Sequence, residues 1–329
     1  MKPSVYLSRR VPAAVVAELG RLFALTVFDE EYPPPREELL AGVAGKDGVC
    51  TMLSDRVDEE LLDAAGPKLR VVANYAVGYD NVDVDACSGR GVVVANTPGV
   101  LTEATAEFTL VLLLDLARRV SEGDRMLRRS EDWIWSPTFM LGTGLSGKVL
   151  GVVGLGRIGA RVARLAEAFG MRIVYTSRSG PKDGVELEWL SFDELLRTAD
   201  VVTLHCPLTP ETRHLIGAGE LRSMRRDGLL VNTTRGPVVE ENALVTALRA
   251  GEIAGAALDV FEHEPAVHPG LLQLENVVLA PHLGSATRET REAMGMLCVQ
   301  ALHAVLLEGR CPENAVNPTV ADVTPATTR

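Results

Sequence analysis

With 329 residues, 47% of them hydrophobic, the chain is long enough to bury two cores, so two domains flanking a cleft are expected. A net charge of -11 without any Lys/Arg-rich run excludes a nucleic-acid binder, because an acidic surface repels phosphates; a few cations and backbone amides converging in one cleft still suffice for a small anion. Five scattered cysteines (Cys50, Cys87, Cys206, Cys298 and Cys311), none in CxxC spacing, exclude a disulfide framework and a zinc site and suit a reducing cytoplasm.

The amino terminus has no apolar signal-peptide core, and Val5-Tyr6-Leu7 reads as a first strand. Short β-branched runs then alternate with helix-period stretches: PAAVVAELGRLF, LTVF, EELLAGVA, GVCTML, DEELLDAA, RVVANYA and VVVANT. Such alternation implies parallel strands in a doubly wound α/β layer, closing near Thr97-Pro98-Gly99. From Thr102, a plausible N-cap, one long helix is expected through TEATAEFTLVLLLDLARRVSEGDRMLRR. Its LVLLL run stops at Asp115, far short of the roughly 20 residues of a membrane span.

A second alternation follows the loop WSPTFMLGTGLSGK, from KVLGVVGLGRIG to VVLAPHLG, and again favours a parallel sheet. The last helical pattern, SATRETREAMGMLCVQALHAVLLEG, lies beyond that sheet and finds its simplest home against the first layer. The expected division is therefore 1–99 and 283–329 for one discontinuous domain and 100–282 for the other. Only the stretch 320–329 reads as frayed.

Gly154-Leu155-Gly156-Arg157-Ile158-Gly159 follows an apolar strand and opens a helix, the context a dinucleotide fingerprint requires. Gly154 permits the tight turn, Gly156 lets backbone approach a pyrophosphate, and Gly159 lets helix and strand pack closely. The phosphate then meets the uncapped N–H groups of the helix. About 20 residues on, where an NAD site would carry Asp or Glu for the ribose, the second strand ends in Ser177, Arg178 and Ser179. A carboxylate there would repel a 2'-phosphate, whereas a guanidinium with hydroxyls and N–H groups holds it. NADP(H) is thus the expected cofactor, assisted by Lys182, with NAD(H) the alternative.

Arg235 in NTTRG, Glu264 in DVFEHEP and His282 in APHLGSAT each follow an apolar run, so the carboxyl ends of parallel strands would bring them to one edge. Glu262, His263 and His268 suggest a metal set, but Pro265 interrupts any helix that would align them, and no metal is expected.

GLGRIG, NTTRG, DVFEHEP and PHLGSAT, in this order and spacing, resemble the D-isomer-specific 2-hydroxyacid dehydrogenase family over almost the whole chain. NYAVGYDNVD, TEATAEFTLVLLL and YTSRS resemble its glyoxylate/hydroxypyruvate reductases most. The resemblance implies an α/β fold of two doubly wound domains, a Rossmann dinucleotide-binding domain inserted in a flavodoxin-like substrate domain. It implies that Arg235 clamps the substrate carboxylate, that His282 is the acid/base and Glu264 its carboxylate partner. Asp259 corresponds to the acidic residue near the nicotinamide amide, and Thr105, Cys206, Pro207, Thr233, Thr234 and Gly284 to further cofactor-lining positions. Val77 and Gly78 correspond to a loop whose N–H groups meet the substrate carboxylate, and Trp135 to an aromatic reaching across a homodimer interface.

An imidazole titrates near neutrality, so His282 suits delivery of a proton to a developing alkoxide, and Glu264 is expected to raise its pKa. Formate dehydrogenases pair the histidine with an amide, phosphite-oxidising relatives carry lysine where this chain has Ala76, and phosphoglycerate dehydrogenases often continue into a regulatory domain. Small unphosphorylated 2-oxo acids remain, glyoxylate and hydroxypyruvate ahead of pyruvate; a D-lactate or phosphoglycerate type is the runner-up. The reading from another class is a dinucleotide-sensing protein like the corepressors that share this fold.

Overall fold

The computed structural model describes residues 1–320, and the fraying expected for 320–329 lies, from 321 on, outside them. The chain divides into two compact units, one made of Met1–Leu101 with the chain from Thr287, the other of Thr102–Ala286.

In the first unit, β1 (Ser4–Leu7), β2 (Ala24–Val27), β3 (Gly48–Thr51), β4 (Val71–Asn74) and β5 (Val93–Ala95) form a parallel sheet in the order β2-β1-β3-β4-β5, which is the flavodoxin-like order. Every residue of β3, β4 and β5 is buried, as parallel strands covered on both faces must be. Helices α1 (Ala13–Leu22), α2 (Arg36–Val43), α3 (Glu59–Ala65) and α4 (Val84–Gly89) connect them. The sequence pattern missed α4, whose six residues VDACSG are too short and too small to show a helical period; its start is fixed by Asp83, which accepts from the Ala86 N–H at 2.9 Å.

The second unit opens with α5 (Thr102–Arg118) and α6 (Val120–Arg128). One continuous helix was the expectation, but Arg119 adopts a left-handed conformation (φ 57°) and breaks it. The cause is local: the Asp115 carboxylate takes the Ser121 N–H at 2.6 Å, and the Arg119 guanidinium is held by both Glu122 oxygens at 2.7 and 2.6 Å.

A parallel sheet follows, built from β6 (Val149–Val153), β7 (Arg172–Thr176), β8 (Glu188–Trp189), β9 (Val201–Leu204), β10 (Leu229–Asn232), β11 (Gly255–Leu258) and β12 (Val277–Leu279). Its order, β12-β11-β10-β9-β6-β7-β8, reverses direction between β6 and β9, the Rossmann progression with its switch point. The connecting helices are α7 (Arg157–Glu167), α8 (Phe192–Thr198), α9 (Ala218–Ser223) and α10 (Glu241–Ala250). Along β10, Leu230 packs into the core on one face and Val231 into that on the other, so both faces are apolar and covered. Helix α5 packs on α7, which is why the unit begins at Thr102.

The last helix, α11 (Arg288–Leu306), capped by the Thr287 hydroxyl, packs against β4 and α1 of the first unit. The change of unit comes at 286 rather than 282, because Leu283 and Gly284 are still hydrogen-bonded to Asp259 in the second unit. No helix among the described residues is long and apolar enough to cross a membrane.

Candidate active site

The carboxyl ends of β6 and β9 open the crevice at the switch point. Gly154 has φ 94°, and a Cβ there would stand 2.8 Å from the His205 carbonyl carbon across the crevice. Gly159 rests on the Gly154 carbonyl, which a side chain would overlap. Gly156 differs: a Cβ at that position meets nothing within 4 Å, and no side chain caps α7. The first-turn N–H groups and the helix dipole therefore face open space beside Leu155, Arg157 and Ile158, a fit for a dinucleotide pyrophosphate.

At the end of β7 no carboxylate stands on residues 177–179, and Arg178 and Ser179 are exposed. Ser177 departs from the expectation that its hydroxyl binds phosphate, since it donates to the Gly180 carbonyl and closes the loop. Lys182 is better placed: its N–H donates to the buried Tyr175 hydroxyl at 2.7 Å, and its ammonium reaches the Leu155 carbonyl in the glycine turn at 2.6 Å. Across the switch point, burial pushes the His205 imidazole down to about 3, so it stays neutral, and pushes the Cys206 thiol up to about 11. Pro207 beside them is exposed.

The loop carrying Arg235 is fixed by its own turn. Buried Asn232 donates to the Arg235 carbonyl at 3.0 Å and accepts from the Thr234 N–H at 3.1 Å. The Thr234 hydroxyl donates to the Cys206 carbonyl at 2.6 Å, while Thr233 meets the Thr109 hydroxyl at 2.9 Å, which itself donates to the Thr105 carbonyl at 2.8 Å. Arg235 is half-buried, and its Nη1 donates to the Thr234 carbonyl at 2.9 Å.

His282 and Glu264 meet at the ends of the neighbouring strands. Nδ1 of His282 lies 2.9 Å from Oε2 of Glu264, whose Oε1 accepts from the Phe261 N–H at 3.0 Å. Burial pushes the Glu264 carboxyl up, but the bond to His282, the His282 charge, the Phe261 N–H and the Arg235 guanidinium outweigh it and hold the carboxyl below its usual range. Glu264 thus stays ionised into mildly acidic solution.

His282 has φ 57°, a left-handed conformation costing about 1–3 kcal/mol in a non-glycine residue. Asp259, only 1% exposed, holds it there: its carbonyl accepts the His282 N–H at 2.9 Å, and its carboxylate accepts from Leu283 N–H at 2.6 Å and Gly284 N–H at 2.8 Å. Burial pushes the Asp259 carboxyl up despite these bonds. Gly284 is buried between Asp259 and Thr105, leaving little room for a side chain.

The remaining positions stand on other segments. Val77 and Gly78 belong to the first unit, after β4, where their carbonyls accept from Asn96 at 2.7 Å and Asn74 at 3.0 Å. Trp135 is 77% exposed, in a run with exposed Trp133 and Ile134. His268 pairs with Asn242 at 3.0 Å, His263 is exposed, and Glu262 pairs with His214.

Residues 110–284 match the family model for the NAD-binding domain of D-isomer-specific 2-hydroxyacid dehydrogenases. The whole chain is 49% identical to a glyoxylate reductase of Aeropyrum pernix, over 98% of each chain. The chain belongs to the D-isomer-specific 2-hydroxyacid dehydrogenase family. It is also 46% identical to a glyoxylate reductase of Thermococcus litoralis, over 99% of this chain and all of that one. Among solved structures, an NADPH-dependent glyoxylate/hydroxypyruvate reductase of Sinorhizobium meliloti, in complex with NADP and malonate, superposes with TM-score 0.86 at 34% identity over the full length of both. A Thermus thermophilus protein superposes with TM-score 0.90 at 46% identity, over 95% of this chain and 99% of that one.

Membership makes the chain a nicotinamide-dinucleotide oxidoreductase and fits the open N-terminus of α7. Glu241 and His214 left no signal in the sequence because they act through hydrogen bonds between segments remote along the chain, whereas Asn232 acts within its own turn. Asn232, directly before TTRG at a strand end, carried the one available signal, an Asx residue where a turn must start.

Proposed function

We propose that the protein reduces small 2-oxo acids, glyoxylate and hydroxypyruvate first, to 2-hydroxy acids and prefers NADPH. The observation that carries this reading is the His282–Glu264 pair, 2.9 Å apart at one sheet edge, with Arg235 close enough to act on the same carboxylate.

Glu264 takes the Nδ1 side of His282 and leaves Nε2 for substrate. The carboxylate fixes the ring from its Nδ1 side, so that in the acid form Nε2–H is the donor to the substrate's 2-oxo oxygen. Arg235 presents a planar fork that matches the substrate carboxylate and fixes the oxo carbon in place. Bound nicotinamide supplies the hydride. His282 releases its Nε2 proton as the oxygen becomes a hydroxyl, and it regains one from solvent, to which 32% of its side chain is exposed. Arg178, Ser179 and Lys182 would hold the adenosine 2'-phosphate, and Gly154, Gly156 and α7 the pyrophosphate. The five free thiols suit the reducing cytoplasm.

The test follows absorbance at 340 nm with glyoxylate and each cofactor at fixed salt. NADPH should lead NADH by about tenfold or more in kcat/KM, and Arg178→Ala should bring the two within about threefold, since a charge-assisted hydrogen bond to phosphate, about 1.5–3 kcal/mol, is worth about tenfold or more. NADH tenfold ahead in the wild type would overturn the preference. Tight NADPH binding with no turnover of any 2-oxo acid would favour the sensor reading.

A further inference from the structure

We propose that His214 and Glu262 form a brace that positions Arg235 and Glu264, an inference that rests on the catalytic roles assigned to those two residues above. Both reactive side chains stand on loops that have left the sheet. The loops touch backbone to backbone: Gly236, next to Arg235, lies so close to the Phe261–Glu262 peptide that any Cβ would overlap the Phe261 carbonyl. A shift of either loop is therefore passed to the other.

His214 spans both loops. Its N–H donates to the Pro237 carbonyl at 2.7 Å, beside Gly236, and its Nε2 lies 2.5 Å from Oε1 of Glu262. Reaching both demands a left-handed backbone, φ 54°, in an exposed histidine. Glu262 is clasped from the other side by buried Glu241 at the start of α10. The Glu262 N–H donates to Glu241 Oε1 at 2.8 Å, and Glu262 Oε2 accepts from the Glu241 N–H at 3.3 Å. The Glu262 carboxylate thus satisfies an N–H that residue 240 leaves uncapped. Two residues further on stands Glu264, whose Oε1 is tied back to the Phe261 N–H. The Glu262 N–H and both oxygens of its carboxylate are thus held, and Glu264 is aimed at His282 from that fixed base.

Misplacement of reacting groups by about 1 Å costs up to about 100-fold in rate, so loss of the brace should appear in turnover rather than in cofactor binding. Arg213 lies 4.0 Å from the same Glu262 oxygen and is placed to keep part of the contact once His214 is removed, which makes Glu262 the cleaner target.

The experiment measures kcat with glyoxylate, NADPH affinity by fluorescence titration and thermal unfolding. Glu262→Ala should lower kcat about tenfold, with NADPH affinity within about twofold and the protein folded at assay temperature. Glu262→Gln, which keeps an acceptor for His214, should recover most of that loss. His214→Ala should cost about fivefold, and the His214→Ala/Glu262→Ala double variant no more than Glu262→Ala alone, because the two act as one unit. Arg213→Ala should stay within about twofold of wild type. Wild-type kcat in Glu262→Ala, additive losses in the double variant, or a fall in kcat that only tracks NADPH affinity or the folded fraction overturns the brace. His282→Ala in the same assay separates the two readings. If it turns over normally the catalytic assignment fails, whereas if it is inactive beside a fully active Glu262→Ala only the brace fails.

Discussion

His282→Ala is expected to lower kcat for glyoxylate by about 100-fold or more while NADPH affinity stays within about threefold, since general acid catalysis is worth ~10² to 10⁴. The separation of the two effects follows from the way the loop is held. Leu283 and Gly284 are anchored by the Asp259 carboxylate and the main chain of residue 282 by the Asp259 carbonyl, so deleting the imidazole leaves the loop's own hydrogen bonds intact. The variant also relieves Glu264 of its largest favourable partner, and that carboxyl should move back up toward its burial-raised value. Stopped-flow or steady-state loss of absorbance at 340 nm gives kcat, and quenching of NADPH fluorescence gives affinity. Full turnover in the variant would remove His282 from the chemistry.

Arg235→Lys is expected to lower kcat/KM for glyoxylate about 100-fold, with both kcat and KM affected. Lysine keeps the charge but not the fork, and two parallel hydrogen bonds to a carboxylate become one from a mobile ammonium. In the protein the guanidinium is further steadied by its Nη1 bond to the Thr234 carbonyl, in a turn that Asn232 closes from both ends. A lysine ammonium inherits neither the plane nor that bond's geometry, so the oxo carbon is held less well even when substrate is bound. Wild-type kinetics in Arg235→Lys would mean that the substrate carboxylate sits elsewhere.

The sheet that carries these residues was legible because parallel strands covered on both faces are written as near-continuous Val and Leu runs, as in β6, β9 and β10. The glycine turn was legible because Gly154 and Gly159 answer to backbone constraints, a positive φ and a close approach, that few other residues meet. Where the sequence was silent, the signal was too short or too distant. The two-residue edge strand β8 and the six-residue α4 have no period to detect, and the break at Arg119 depends on the competing carboxylate of Asp115. Glu264 and His282 stood out as chemically complementary residues at strand ends. The role of Ser177, however, turned on a single bond to Gly180 that no spacing announces, and Glu262 was weighed as a metal ligand when its partner is His214, 48 residues away.

The central claim is that the imidazole of His282, held on its Nδ1 side by Glu264, delivers the proton, and it is tested most directly by kcat for glyoxylate in Glu264→Ala beside the wild type. Without the carboxylate the ring loses the bond that orients it, so kcat should fall about 100-fold while NADPH affinity stays within about threefold. Wild-type kcat in Glu264→Ala would contradict the account.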